Sequence, residues 1–400
     1  MAEANATGGG SGSASTARCS VLDHRYGSGR PLTLGVEEEY MLCDAETLEL
    51  SQGIEDLLVA IEGESWAGRV MPELFASTAE VATGVCDTID DARRDLEGIR
   101  RGVAAYLGPL GLRLASAGTH PYSKSEEQRV TPRERYRALI EQLQYVARRE
   151  LVFGMHIHVG VPDPESAIHV LEGVLIELPV LLALSVNSPS WRGRASGLMS
   201  TRTAVFAGFP RSGLPPRFES YEDYAETVSW MEQTGAIDDY THLWWDVRPH
   251  PRLGTIELRV PDVQFDLDYT LALAAYVQAL VASLLDEISQ GRPPVPYHRQ
   301  LVAENKWLAA RHGLDAPLLD LATGKRTRVT AGQLARRRLR QLKPYARELG
   351  CWDALGGIEK ILSNGTGATR QIRVFNANQD LHEMFYELCG VTELRSETGR

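Results

Sequence analysis

The chain has 400 residues, 43% of them hydrophobic and 24% charged, the composition of a globular protein with a sizeable core. Its formal net charge of -11 lacks the basic footprint of a nucleic-acid binder. Cysteines at 19, 43, 86, 351 and 389 have no C-x-x-C spacing, which argues against a zinc site or a disulfide framework and fits a reducing cytoplasm.

Residues 1–29, rich in Gly, Ser, Ala and Thr, have no signal-peptide core and predict a disordered tail. A first strand is expected over 33–43, turning at Asp44 into a second short strand. Ile54, Leu57, Leu58 and Ile61 recur at helical spacing, which predicts a helix over 52–63. Residues 73–86 read as mainly extended. Asp87 and Thr88 then cap a helix with Asp90 and Asp91 in its first turn, where the helix dipole favours acid, and it ends near Gly108. A strand over 112–117 closes on Gly118-Thr-His-Pro121. Pro132 opens a helix to about Arg149, and 152–161 is a strand. Residues 164–186 predict one long buried helix, too interrupted by His169, Glu172, Glu177 and Pro179 for a membrane span. Glycines and prolines make 203–220 too long for a plain connector, so a lid or binding loop is expected there. Two extended pieces follow within 243–263, then an apolar helix over 267–290. A Pro-rich break at 293–297 precedes helices over 299–312 and 331–348. Arg336, Arg337, Arg338 and Arg340 on the last helix form a solvated face or, alternatively, a phosphate site. Strands and helices do not alternate in a βαβ rhythm, so the expected fold class is α+β around an antiparallel sheet.

Four strand-like stretches carry the chemistry. They are Gly35-Val-Glu-Glu-Glu-Tyr40, residues 73–80, Gly154-Met-His-Ile-His-Val-Gly160 and Thr255-Ile-Glu-Leu-Arg-Val260. A strand sends alternate side chains to one face. Glu37 with Glu39, His156 with His158, and Glu257 with Arg259 therefore share faces. Carboxylates and a histidine converging on a sheet resist burial unless a cation sits among them. The economical reading is a divalent-metal site for a nucleotide phosphate. Glu37, Glu39, Glu73, Glu80 and Glu257 supply enough oxygen for two or three magnesium ions, with His156 as a nitrogen ligand.

At these residues the chain resembles the type 2 glutamate–cysteine ligase family of bacterial carboxylate–amine ligases. The matching segments include Leu34-Gly-Val-Glu-Glu-Glu-Tyr40, Glu80-Val-Ala-Thr-Gly-Val85, Gly118-Thr-His-Pro121, Gly154 to Val161, Asn187-Ser-Pro189 and Glu304-Asn-Lys-Trp307 with Ala310-Arg-His-Gly-Leu314. The resemblance covers about residues 32–376. It implies a single catalytic domain over 30–400 with a glutamine-synthetase-like fold, a curved antiparallel sheet with helices on its outer face. More faintly, the chain is similar to the classical glutamate–cysteine ligases. Their metal-binding carboxylates map onto Glu37 and Glu39, a glutamate pair seven residues apart onto Glu73 and Glu80, their histidine onto His156, and an Ile-Glu-x-Arg strand onto Glu257 and Arg259.

The implied reaction is ATP-dependent, with Mg2+ or Mn2+. A carboxylate, that of glutamate in the resembling family, becomes an acyl phosphate that an amine such as cysteine then displaces. Glu257 and Arg259 would act at the reacting groups. Arg202, Arg370 and Arg373 are phosphate or carboxylate candidates, or else surface ion pairs. His120 and Asn187 either contact substrate or are structural. Glu304 and Arg311 read as an internal bracket. The resemblance suggests a homodimer in the cytoplasm, with small-molecule substrates and neither nucleic acid nor membrane as partner. Two alternatives use the same residues: a guanidino-kinase-like phosphotransferase, and a non-catalytic nucleotide-binding regulator.

Overall fold

Eleven residues, Leu34–Asp44, form β1, the strand on which the fold is built. In the computed structural model, which describes residues 22–395, β1 is flanked on both sides by antiparallel partners. The other strands of this sheet are β2 (Val70–Pro72), β3 (Thr78–Ala82), β4 (Leu112–Ala115), β5 (Met155–Gly160), β6 (Val247–His250) and β7 (Thr255–Leu258). The order is β6-β7-β5-β1-β3-β2, with β4 pairing the C-terminal end of β1. Register places Glu37 opposite His156 and Glu39 opposite Glu80. It also places Glu257 opposite His158 and opposite Arg248.

Alternation divides the sheet into two unlike faces. Leu34, Val36, Ile157, Val159, Ile256 and Leu258 point into the main core. That core is closed by helices α1 (Ile89–Leu107) and α2 (Leu267–Ser289). Helix α1 starts at Thr88, whose hydroxyl accepts from the Asp91 amide while the Asp91 carboxylate accepts from the Thr88 amide. Helix α2 is long and apolar enough to cross a membrane, yet most of it is buried inside the fold, as a core helix is. The α+β class and the antiparallel sheet are as the sequence predicts.

Three expectations change. Residues 1–21 of the predicted tail lie outside the described residues, but 22–29 are anchored to the fold at two points. Tyr26 is buried edge-on against Tyr221, and the Arg25 amide donates to the Pro251 carbonyl at 2.9 Å. The single helix expected over 164–186 is two helices, Pro164–Val174 and Leu178–Ser185, bent by 65°. Pro179 has no N–H for the preceding turn and instead occupies the first turn of the second helix. The helix expected over 132–149 breaks at Gln144, whose φ of 48° lies in the left-handed region.

Candidate active site

The face of the sheet opposite α1 and α2 carries the predicted charges. Glu37 and Glu39 project from β1, Glu80 from β3, His156 and His158 from β5 and Glu257 from β7. Glu73 comes from the turn after β2, and Arg259 from the residue after β7. The histidines and Glu257 are almost fully buried, at 3%, 4% and 1% exposure. A cavity of about 260 Å³ opens over this face, reached by Glu37, Glu39, Glu73, Glu80, His156 and Arg259. The structure therefore brings the predicted metal residues together.

Hydrogen bonding orients both imidazoles. His156 Nδ1 lies 2.9 Å from a Glu37 oxygen, and His158 Nδ1 lies 3.0 Å from the Thr255 hydroxyl. Both Nε2 atoms are buried without a hydrogen-bond partner. A carboxylate that holds Nδ1–H of His156 leaves its Nε2 lone pair free, the arrangement found behind metal-ligating histidines. That Nε2 lies 3.9 Å from Glu39. His158 Nε2 lies 3.3 Å from Glu37, and ligand atoms of Glu37, His158 and Glu257 all fall within 4.8 Å of one another.

The charges form two halves. In one, the protein supplies the cations. Arg248 grips Glu257 through both carboxylate oxygens, at 2.6 and 3.3 Å, and Arg259 bonds the same carboxylate. Burial would push the Glu257 carboxyl up, but Arg248 and Arg259 outweigh it and hold it well below the usual range. Burial is likewise overcome at Glu37, which His158 and His156 hold well below that range. In the other half compensation falls short: the Leu74 amide and Arg135 act on Glu73 without offsetting its burial. Burial pushes Glu73 up, with Glu39 adding to it. Burial pushes Glu80 well up, aided by Glu37, Glu73 and Glu39. Carboxylates raised by desolvation and by one another are short of positive charge. This half, with His156 Nε2 beside it, fits a hard divalent cation.

Sequence reasoning missed four residues here. His158 shares the alternation that marks His156, so its signal was present. Glu150 lines the cavity, and burial, with Glu39 and Glu73, pushes its carboxyl well up; it sits in no pattern that would single it out. Arg248 and Trp244 also reach the cavity, from a segment read only as extended.

Arg202 reaches the cavity as expected. Its guanidinium donates to the carbonyls of Val260 and Arg259 at 3.2 and 3.1 Å, leaving a buried Nε without a partner. Gly154 makes room for it, because a Cβ there would stand 2.3 Å from Arg202 Nη2. Four candidates are elsewhere. His120 is fully buried, donating Nε2–H to the Leu48 carbonyl and accepting the Tyr122 and Ser123 amides at Nδ1. Burial pulls its pKa down to about 3, so it is a neutral structural histidine. Asn187 is buried between the Val263 carbonyl and the Gln371 side chain. Arg370 pairs with Glu387 and Arg373 caps the Asn364 carbonyl, beside a separate cavity of about 330 Å³. Arg337 and Arg338, from the basic helix, are bound to Asp320 and Glu177.

A larger cavity, about 340 Å³, adjoins the site and shares Glu37 with it, with His158 at their boundary. Its walls include residues 27–30 and 83–85 and the turn at Leu253 and Gly254. Gly254 adopts φ +69°, and a Cβ there would stand 2.7 Å from the Arg25 carbonyl oxygen, so this wall requires glycine.

Comparison with known proteins places these residues in context. The family model described as glutamate-cysteine ligase family 2 matches residues 33–389. A Rubrobacter xylanophilus protein provisionally named glutamate–cysteine ligase 2-1 is 46% identical over 348 residues, 87% of this chain and 91% of that one. A Solibacter usitatus protein provisionally named glutamate–cysteine ligase 2 is 40% identical over 362 residues, 90% of this chain and 94% of that one. Among solved structures, a glutamate–cysteine ligase from Francisella tularensis in complex with AMP superposes with a TM-score of 0.66 at 13% identity, covering 92% of this chain and 90% of that one. A bifunctional glutathione synthetase from Pasteurella multocida gives 0.67 at 15% identity over 91% of this chain, which spans 52% of that longer enzyme. At such identities the structural matches establish the fold.

Proposed function

This chain belongs to glutamate–cysteine ligase family 2, and we propose from that premise that it is an ATP-dependent carboxylate–amine ligase that activates the γ-carboxyl of glutamate and joins it to an amine such as cysteine. One observation carries the reading: Glu39, Glu73 and Glu80 meet with no arginine or lysine paired to them among the described residues, beside a His156 Nε2 that is free to ligate. Mg2+ or Mn2+ suits that donor set, because both favour carboxylate oxygen completed by water and phosphate. Glu39, Glu73, Glu80 and His156 would hold one ion, and Glu37, His158 and Glu257 a second. Bound there, the ions would neutralise charge on the phosphates.

The chain's own residues supply the rest. In the first step a γ-carboxylate oxygen attacks the terminal phosphorus of ATP, the bond to ADP breaks, and an acyl phosphate forms. In the second the amine nitrogen attacks the acyl carbon, the bond to phosphate breaks, and the nitrogen loses a proton. Both steps gather charge on oxygen, so preset cations matter more than a protein nucleophile. Arg259 is held on the site face by Glu257, ready to meet a phosphate or carboxylate. Arg248, at the cavity wall, fixes Glu257 through both carboxylate oxygens. The larger cavity suits the nucleoside: Val85 and Leu253 flank it, exposed at 85% and 56%, and its boundary with the site is Glu37 and His158, where the phosphates would pass.

The test is coupled ADP release with Mg2+ and glutamate, with and without an amine panel led by cysteine, followed by mass spectrometry of products. Amine-dependent ADP release with a new γ-glutamyl amide is the expected result. A stable phosphorylated product formed without amine would overturn the ligase in favour of a phosphotransferase.

A further inference from the structure

Part of the cavity lining is aromatic. Phe206 ends the helix Thr201–Phe206, Phe209 follows it in the segment that the sequence marks as a binding loop, and Trp244 lies at the foot of β6. Phe206 and Phe209 stack with ring centres 5.7 Å apart and planes 12° apart. Trp244 meets Phe209 edge-on at 5.1 Å. Leu139 and Phe75 also line the cavity.

We propose that this wall receives the side chain of the acceptor amine, and that the acceptor carries an apolar side chain of leucine to phenylalanine size. The inference rests on the ligase reading and names its second substrate class. Three observations lead to it. First, the rings brace one another, so the wall is pre-formed: Phe209 is buried behind Phe206 and Trp244, which are half-buried and keep apolar surface towards a cavity that also holds many charges. Apolar surface in a polar cleft gains free energy only when a ligand covers it. Second, the nucleotide-side cavity lies across Glu37, so the acceptor must approach the acyl carbon from the other side, where these rings stand. Third, the faces that would attract a cationic amine already carry cations. Arg202 lies 5.7 Å over Phe206 and Arg211 lies 5.1 Å over Trp244. A diamine would meet like charge there. The cysteine side chain would leave most of the wall uncovered.

The experiment compares kcat/KM for L-phenylalanine, L-leucine, L-cysteine and 1,4-diaminobutane with saturating ATP, Mg2+ and glutamate. Hydroxylamine, which traps acyl phosphate as a hydroxamate regardless of side chain, is run in parallel. An advantage of about ten-fold or more for phenylalanine or leucine over cysteine is expected, the usual worth of a well-filled apolar pocket. Phe209→Ala, and independently the half-buried Phe206→Ala, should reduce that ratio several-fold. The ratio compares two acceptors on the same enzyme, so partial misfolding does not change it. Hydroxamate formation with cysteine or the diamine preferred overturns the inference and leaves the ligase standing. No hydroxamate with glutamate or any other carboxylate tried overturns both.

Discussion

Replacing His120 by glutamine tests whether that histidine is structural, through a pH signature that loss of a substrate contact cannot imitate. In the folded protein burial holds its pKa down to about 3, whereas an unfolded histidine titrates near 6.5. The folded value is depressed, so the stabilisation is complete above the unfolded pKa. It is lost as pH falls from about 6.5 towards about 3, because only the unfolded chain takes up the proton. Each pH unit inside that window costs about 1.4 kcal/mol. Between pH 7 and pH 5 His120 alone therefore removes about 2 kcal/mol of stability from the parent protein. In His120→Gln that component is absent. The variant is less stable at pH 7, by about 1–3 kcal/mol, from its imperfect replacement of the bonds to Leu48, Tyr122 and Ser123. The gap then narrows by about 2 kcal/mol at pH 5. Denaturant unfolding of both proteins at the two pH values reads this directly, since other titrating groups contribute equally to each. Parallel losses, agreeing within about 0.5 kcal/mol, would refute the assignment of His120 as a buried neutral residue.

Glu37→Gln and His158→Ala should each lower ADP formation by about 100-fold and raise the Mg2+ concentration needed for half-maximal rate, because one removes charge and the other a nitrogen from the same cluster; a normal Mg2+ titration with either would separate that cluster from the metal. Arg100→Met strands the fully buried Glu38 carboxylate and should cost about 3–5 kcal/mol in denaturant unfolding. Adding Glu38→Gln should restore part of that loss, and strict additivity would contradict the pairing. Arg370→Ala should leave ADP formation within about two-fold of the parent, since Arg370 pairs with Glu387 beside a different cavity.

Strand alternation made the centre of the site legible before any fold was known. Glu37, Glu39, His156 and Glu257 project to one face because β-strands have a period of two, and antiparallel register then sets them opposite one another. His158 obeys the same rule. What alternation cannot convey is the destination of a residue outside a strand. The polar residues of Gly118-Thr-His-Pro121 and Asn187-Ser-Pro189 look like substrate contacts in sequence, yet they satisfy the backbone at a buried junction of chain segments. Arg370 and Arg373 lie on the helix Gly367–Asn378, whose packing beside Phe265 and Tyr269 depends on contacts about a hundred residues away in the chain. Glu150 and Trp244 reach the cavity from irregular or very short segments, where no periodicity exists to be read.

Three consecutive glutamates in β1 separate structural charge from functional charge. Glu38 points away from the cavity and is given its counter-ion by the fold: Arg100 donates to its two oxygens at 2.6 and 3.1 Å, and Thr270 adds a bond at 2.7 Å. The same guanidinium donates to the carbonyls of Gln264 and Phe265, tying β1 to the chain that leads from β7 into α2. Glu37 and Glu39, one residue to either side, face the cavity. Glu39 meets Glu73 and Glu80 there with no arginine bonded to any of them among the described residues. Had the fold required only neutral packing, an arginine opposite Glu39 would have been as accessible as the one opposite Glu38. Its omission leaves a concentrated negative field on a strand that Arg100 holds in place from behind. A mobile dication can enter such a field and leave it, whereas a tethered guanidinium cannot. Reversible occupancy of that kind is what a site needs if ions are to arrive and depart with the phosphates they neutralise.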